Sequence, residues 1–325
     1  MEINEYISTT TVIVKSNLKL NIEEIFHILP ITEYEIQKKK RGRQKKNTEH
    51  KEENIPNLLK NGSIVSVSLK DISKGVEMHK PKIHKQCFMM DSNEKVHKKY
   101  FRNAMTIVIY INKFINFKIS SNGNFQITGS KNITESMDCI LYFLYYIHLY
   151  PHLYSMNSHY ETITNQYGIY FMFKTVMTNI VFKLGFNINR EKLDKLVIKD
   201  TPWNSLFETS LGYTGVNIKV PLDNIDNYNI YTIYFKSLTP VSTFETFKNQ
   251  SVISNLLYVD LKNMEDIYYE LYKNGKEKNF KNTFLVFQSG SVIMSGIELS
   301  LMKESFDTFI SFINDIKSDI KEEIK

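Results

Sequence analysis

The sequence predicts an α+β fold in which one strand–helix–hairpin–helix unit occurs twice over an antiparallel sheet. Three recurrences carry that prediction. Thr10-Thr11-Val12-Ile13-Val14-Lys15 returns as Thr178-Asn179-Ile180-Val181-Phe182-Lys183, and Asn21-Ile22-Glu23 returns as Asn189-Arg190-Glu191, both 168 residues on. Phe117-Lys118-Ile119, with Gly123 and Thr128-Gly129, returns 167 residues on as Phe284-Leu285-Val286, with Gly290 and Ser295-Gly296. Glu135-Ser136-Met137-Asp138 returns as Glu304-Ser305-Phe306-Asp307 at an offset of 169, which sets Phe143 on Phe312. A period this long excludes a solenoid array and indicates a duplicated half.

Each half opens with a strand: Val12, Ile13 and Val14 with the alternation Leu18, Leu20, and Ile180, Val181 and Phe182 with Phe186, Ile188. A helix start follows at the same place. Asn21 and Asn189 are good N-caps, and Glu24, three residues after Asn21, completes a capping-box pattern. Ile25, Ile28 and Leu29, and likewise Leu193, Leu196 and Val197, keep helical spacing. Each half closes with a hairpin, Ile115–Ser120 to Phe125–Gly129 and Phe284–Phe287 to Val292–Gly296. The first turns at Asn122-Gly123, a pair that supplies positive φ, and the second at Ser289-Gly290. The closing helices carry Ile133, Met137, Ile140, Leu141 and Leu144, and Met302, Phe306, Phe309, Ile313, Ile316 and Ile320. Strands followed by helices on one face give an antiparallel sheet.

The first repeat is read as 1–160 with an insertion over about 36–100, and the second as 161–325 with an insertion over about 222–281. Ile64, Val65 and Val67 predict an extra strand within the first insertion. Ile230–Phe235 and Met264–Tyr272 predict a strand and a helix within the second.

Composition supplies ample apolar residues for a core. Two cysteines, Cys87 and Cys139, make no disulfide framework, which points to a reducing compartment. The polar start, Met1-Glu2-Ile3-Asn4-Glu5, does not read as a signal peptide. Ile140–Tyr154, the most apolar stretch, is interrupted by His148, Pro151 and His152 and reads as a buried helix rather than a membrane span. The net charge of +6 is local: Lys38, Lys39, Lys40, Arg41, Arg43, Lys45 and Lys46 place seven cations in nine positions, leaving 34 basic against 35 acidic residues elsewhere.

Leu285-Val286-Phe287-Gln288-Ser289-Gly290-Ser291-Val292-Ile293-Met294-Ser295-Gly296 is similar to the hairpin of TATA-box-binding proteins, an aliphatic-Ile-Phe-x-Ser-Gly-Lys stretch followed by three aliphatics and Thr-Gly. Phe117–Gly129 resembles a weaker copy, and the doubled element order resembles that family's saddle. The insertions resemble the divergent versions carried by large DNA viruses. The resemblance implies a curved sheet whose concave underside sits on the minor groove of AT-rich double-stranded DNA and kinks it with inserted apolar side chains. It implies convex-side helices that meet a TFIIB-like factor and RNA polymerase. It further implies a non-enzymatic initiation factor, monomeric or weakly dimeric, in a viral factory or host nucleus, without cofactor or membrane association.

In the second half the resemblance assigns wedges to Phe287 and to Tyr213, the latter in Tyr213-Thr214-Gly215-Val216 with Lys219 and Val220 following. Strand alternation supports Phe287: if Phe284 and Val286 face the helices, Leu285 and Phe287 face away. The first half departs. Its residue at the Phe287 position is Ser120, which cannot wedge, and Phe101 is the candidate for the other wedge. The underside set is then Lys118, Ser120, Asn124, Gln126 and Thr128 in the first half against Leu285, Phe287, Ser291, Ile293 and Ser295 in the second, which predicts asymmetric binding. Asn179 resembles the family's central Asn, with Thr11 as its counterpart.

Lys39, Lys40, Arg41, Arg43, Lys45 and Lys46 surround an Arg-Gly-Arg core of the kind that enters narrow minor grooves, although charge density alone also attracts phosphates. A solvated loop and a nuclear-localisation patch are the alternatives. His79, His84, Cys87 and His97 fit no standard zinc spacing and read as a solvated loop, and no metal is assigned. No phosphate loop or catalytic signature is present. Two other readings stay open: a saddle that serves as an interaction platform without bending DNA, and an accessory domain of an enzyme.

Overall fold

The computed structural model describes residues 3–33, 59–70, 72–75, 104–156, 168–207, 215–222, 229–257 and 280–322. Its strands are β1 (Ile7–Ser16), β2 (Leu18–Leu20), β3 (Ser63–Leu69), β4 (Ile72–Gly75), β5 (Ala104–Ile111), β6 (Lys113–Ser120), β7 (Asn124–Ser130), β8 (Tyr154–Met156), β9 (Ile169–Lys183), β10 (Asn204–Leu206), β11 (Gly215–Pro221), β12 (Asn229–Phe235), β13 (Ser251–Leu257), β14 (Lys281–Phe287) and β15 (Ser291–Gly296). The helices are α1 (Ile22–Ile28), α2 (Ile133–Ile147), α3 (Arg190–Asp200), α4 (Phe244–Lys248), α5 (Leu299–Asp315) and α6 (Lys317–Ile320).

Thirteen strands form one sheet, ordered β10-β11-β14-β15-β9-β1-β7-β6-β5-β3-β4, with β12 on β9 and β13 on β12. Every pairing is antiparallel, and the described helices pack on the face that carries the cores, giving the expected α+β fold with an antiparallel sheet. The order is symmetric about the β9–β1 pair, where Thr10 and Thr178, equivalent in the duplication, are direct cross-strand partners. Their side chains act alike. Thr10 Oγ1 donates to Ser130 O (3.0 Å), and Thr178 Oγ1 donates to Ile297 O (2.7 Å).

The equivalence extends to the ends of both halves. Leu20 N donates to Ser121 O and Ile188 N to Gln288 O, both at 2.8 Å. Asn21 N reaches Leu153 O, and Asn189 N reaches Ile320 O. β2 pairs with β8 through Leu20 and Tyr154, matched by the single bridge Ile188 to Lys321. Asn21 and Asn189 both cap as expected, accepting from Glu24 N and Lys192 N. Glu24 accepts from the Asn21 side-chain Nδ2, because Asn21 N is already committed to Leu153 O.

Several expectations need correction. β3 is no additional strand. It follows α1 and pairs with β5 as β10 follows α3 and pairs with β11, so it belongs to the repeat. Among the described residues the strands without a counterpart are β4, beyond β3, and β12–β13, which joins β9 at residues 169–174, beyond the reach of β15. The Asn122-Gly123 turn uses positive φ at Gly123 alone (φ 73). Residues 121–123 form a three-residue loop closed by Gly123 N to Ser120 O, and Gly290 N to Phe287 O repeats it. α2 stops at Ile147, and a 3-10 turn over Pro151–Leu153 leads into β8, so Ile140–Tyr154 is only partly helix. Phe143 packs on Phe117 and Phe125, but its role in the second half falls to Phe309, stacked on Phe284 at 4.1 Å, and not to Phe312, which lies against Trp203.

Two apolar cores lie under the helices. One gathers Val12, Val14, Phe117, Phe125, Ile140 and Leu144, and the other Ile180, Phe182, Phe284, Val286, Met302 and Phe309. The expected helix Met264–Tyr272 and the division at residue 160 lie outside the described residues.

Replacing Thr10 or Thr178 by valine keeps shape and removes one buried donor, so each change should lower the unfolding free energy by about 1 kcal/mol. Chemical denaturation checks this, and a loss at one position only would show that the two hairpins are not tied to the centre equivalently.

Candidate nucleic-acid interface

Because alternate residues of a strand face opposite sides, the strands that bury the cores leave a second face that is helix-free among the described residues. On β14, Phe284 and Val286 are fully buried while Thr283, Leu285 and Phe287 are half-buried on the other side, as expected. β15 does the same, burying Val292 and Met294 and presenting Ser291, Ile293 and Ser295. On β6 and β7, Phe117, Ile119, Phe125 and Ile127 face the core, and Lys118, Ser120, Asn124, Gln126 and Thr128 face away.

The registers align these residues into rows across the sheet. In the second half the middle row runs Asn217–Leu285–Ile293–Val181, from β11 to β9. The equivalent row of the first half runs Thr106–Lys118–Gln126–Ile13–Lys174. Three aliphatic side chains in one half thus stand where the other has Lys118, Gln126 and Ile13.

Towards the hairpin tip, Phe287 faces Gly215 across the strands, and Ser120 faces Ala104. Gly215 leaves space there: a Cβ on it would come within 2.7 Å of Leu285 Cδ1. Ser120 turns back on its own loop, bonding to Asn122 Oδ1 and donating to Asn124 O (3.1 Å). It closes a turn where Phe287 presents a ring.

Towards the pseudo-twofold the rows become polar in both halves apart from the buried Val108: Lys219–Thr283–Ser295–Asn179–Thr9 against Val108–Asn116–Thr128–Thr11. Ser295 Oγ donates to Asn179 Oδ1 (2.6 Å), and Asn179 Nδ2 donates to Thr9 Oγ1 (3.3 Å), so the amide is held between β15 and β1.

Sequence reasoning missed two cations here, Lys15 and Lys174, which approach each other across β1 and β9. Lys15 has the same strand position as Lys183, so the duplication was the signal that could have found it. Burial pushes the Lys174 ammonium down to about 8, and the charge of Lys15 adds to the effect. Burial also lowers Lys15.

Tyr213, Phe101, the basic run Lys38–Lys46, and His79, His84, Cys87 and His97 lie outside the described residues. Among the described residues no group of three or more His, Cys, Asp or Glu could hold a metal ion, and no helix is long and apolar enough to cross a membrane.

The Lys174 proton is held to about pH 10.5 in the unfolded chain but only to about pH 8 in the folded one. The unfolded state therefore binds more protons between these values, and stability should rise with pH across that window. Urea midpoints for the wild type and Lys174→Met should differ by a margin that changes between pH 8 and 10.5, and a constant margin would refute the assignment.

No family model matches the chain. It is similar to uncharacterized protein 335L of Invertebrate iridescent virus 6, with 27% identity over 249 residues, 74% of this chain and 70% of that one. It is also 27% identical over 179 residues to a TATA-box-binding protein-like sequence of Acanthamoeba polyphaga mimivirus, covering 50% of this chain and 47% of the relative, so the match spans less than half of that protein. Among solved structures, Methanococcus jannaschii TBP aligns with 95% of this chain and 97% of its own at 12% identity, with a TM-score of 0.40. By its mimivirus relative and its own hairpin motif, the chain resembles the TATA-box-binding-protein-like family in a divergent viral form.

Proposed function

We propose that the helix-free face binds AT-rich double-stranded DNA through the minor groove, and that the two halves do so by different means. The observation that carries this reading is the apolar row Leu285–Ile293–Val181 with Phe287 beside it towards the hairpin tip, on a face with no helix over it among the described residues. A flat apolar strip with a ring at its margin suits a widened, unstacked minor groove, where apolar side chains enter base steps. In the first half, Lys118, Gln126 and Ser120 at the same positions suit phosphate and edge contacts that leave base steps stacked. Asn179 at the centre can give its remaining amide proton to an acceptor that A·T pairs present in that groove.

On this reading the protein is a TATA-box-binding-like initiation factor that bends promoter DNA mainly with its second half and recruits a TFIIB-like factor and RNA polymerase. The basic run over residues 38–46 adds sequence-independent phosphate attraction. The polar first half also suits a second reading, in which the sheet is a protein-interaction platform that leaves DNA straight.

Binding to AT-rich and GC-rich duplexes across a salt series, with end-to-end FRET for bending, separates the two. The initiation-factor reading expects AT preference and a bend confined to one end of the site. Phe287→Ala should weaken binding on the order of tenfold, as loss of one anchor does, and straighten the duplex. Ser120→Phe should increase the bend. Salt-sensitive binding with no preference and no bend would leave only the platform. Deleting residues 38–46 should weaken all duplexes alike and flatten the salt slope, and an unchanged slope would remove the basic run from the interface.

A further inference from the structure

The two long helices are copies, yet their outward sides differ. From Asp138 to His148, α2 has no exposed residue. With Phe309 as the counterpart of Phe143, the positions of α5 equivalent to Asp138, Tyr142, Tyr145 and His148 are Glu304, Thr308, Ser311 and Asn314, and all four are exposed. Since the copy folds with small or polar groups at these places, the aromatic stripe on α2 is not a requirement of the repeat.

The stripe is covered by residues 238–250, which follow β12 in the second half's insertion. Phe244 stacks on Tyr142 at 3.7 Å between ring centroids, and Phe247 packs on Tyr145 and His148. Lys248 Nζ bonds Asp138 Oδ1 (2.9 Å) in a pair that is mostly screened from water. Tyr145 Oη donates to Ser242 O (2.8 Å), and Val241 N donates to His148 Nε2 (3.2 Å), which fixes His148 with its proton on Nδ1, donated to Tyr145 O. Asp138, Tyr142, Tyr145 and His148 lie at successive helical turns, so they form one strip along the helix. Phe244, Phe247 and Lys248 lie at i, i+3 and i+4 of α4 and match that strip in spacing, shape and charge.

We propose that the outer side of α2 is a docking surface for a Phe-x-x-Phe-Lys segment, filled in cis by Val241–Lys248, so that it is closed to other proteins while the insertion stays in place. The recognition elements are a ring slot between Tyr142 and Tyr145, a second ring seat on His148, and a carboxylate at Asp138 for the lysine. A partner on this side must either carry the same pattern and displace the segment or dock elsewhere. This inference does not depend on DNA binding.

A fluorescein-labelled peptide spanning Leu238–Gln250 tests it in trans. The full chain carrying Phe244→Ala and Lys248→Glu should bind the peptide at least tenfold more tightly than the wild type, and adding Asp138→Lys should abolish the gain. Equal binding by wild type and variant would overturn the proposal, as would absence of binding by a variant with native circular dichroism. Should the variant not fold, charge exchange decides instead. Asp138→Lys alone should speed hydrogen exchange over residues 139–148, and Asp138→Lys with Lys248→Asp should restore protection. Unchanged exchange in the single variant, or no restoration in the double, would overturn the proposal.

Discussion

The antiparallel pairing of β1 with β9 is the constraint on which the rest of the architecture depends. It sets Thr10 against Thr178, so the two halves meet with equivalent residues facing each other. The threonine hydroxyls then reach outward to Ser130 O and Ile297 O, where each hairpin hands over to its closing helix. A buried hydroxyl must find a partner, and these partners fix how far each hairpin slides along its central strand. A slip of one residue would turn every core side chain of the hairpin onto the opposite face. The register of the whole sheet therefore follows from its centre.

With the backbone so constrained, the two copies could diverge only where packing did not forbid it. Phe117 and Phe284, Ile119 and Val286, and Ile127 and Met294 remain large and fully buried in both halves. One residue along the same strands, Lys118 stands against Leu285, Ser120 against Phe287 and Gln126 against Ile293. The close-packed side tolerates only volume-matched changes, whereas the other side answers to whatever it binds. The same holds for α2 and α5, whose inward residues stay largely apolar while the outward ones run from Tyr and His to Thr, Ser and Asn.

The sequence made the duplication, the hairpins, the caps and the face of each strand legible, because all of these follow from period and from residue types with strong backbone preferences. Gly123 and Gly290 marked their loops correctly, but the dipeptide could not distinguish a tight turn from the three-residue loop, since that depends on whether Asn122 or only the glycine takes positive φ. β3 was found as a strand yet misread as an addition, because its counterpart β10 (Asn204–Leu206) is too short to show alternation. The pairing of Phe143 with Phe312 followed the offset of 169 and failed by one helical turn, because ring packing against Phe284 is a tertiary choice that sequence spacing does not encode. The packing of residues 238–250 on α2 was illegible for the same reason: it joins segments about a hundred residues apart. Of the candidate site, the face and the contrast between halves were readable, while Lys174 entered through the register irregularity of β1 after Thr11.

The two departures from symmetry fall on opposite halves in a way that makes mechanical sense. The second half presents the apolar row and the ring, so on the proposed function a kinking force would be delivered there. The first half presents polar side chains inward and is braced outward, where the insertion packs on α2 and sends β12 along β9 at residues 169–174. That stretch of β9 is clamped between β1 and β12, while residues 178–183 lie between β1 and β15 at one end and along β15 alone beyond Ile180. Load applied at Phe287 passes through β14 and β15 to β9, and from there into the half that carries the extra strand and helix. A wedge works only if its support yields less than the base step it opens. On the proposed function, the insertion would thicken the support on the side away from Phe287, where a wedge needs its anchor.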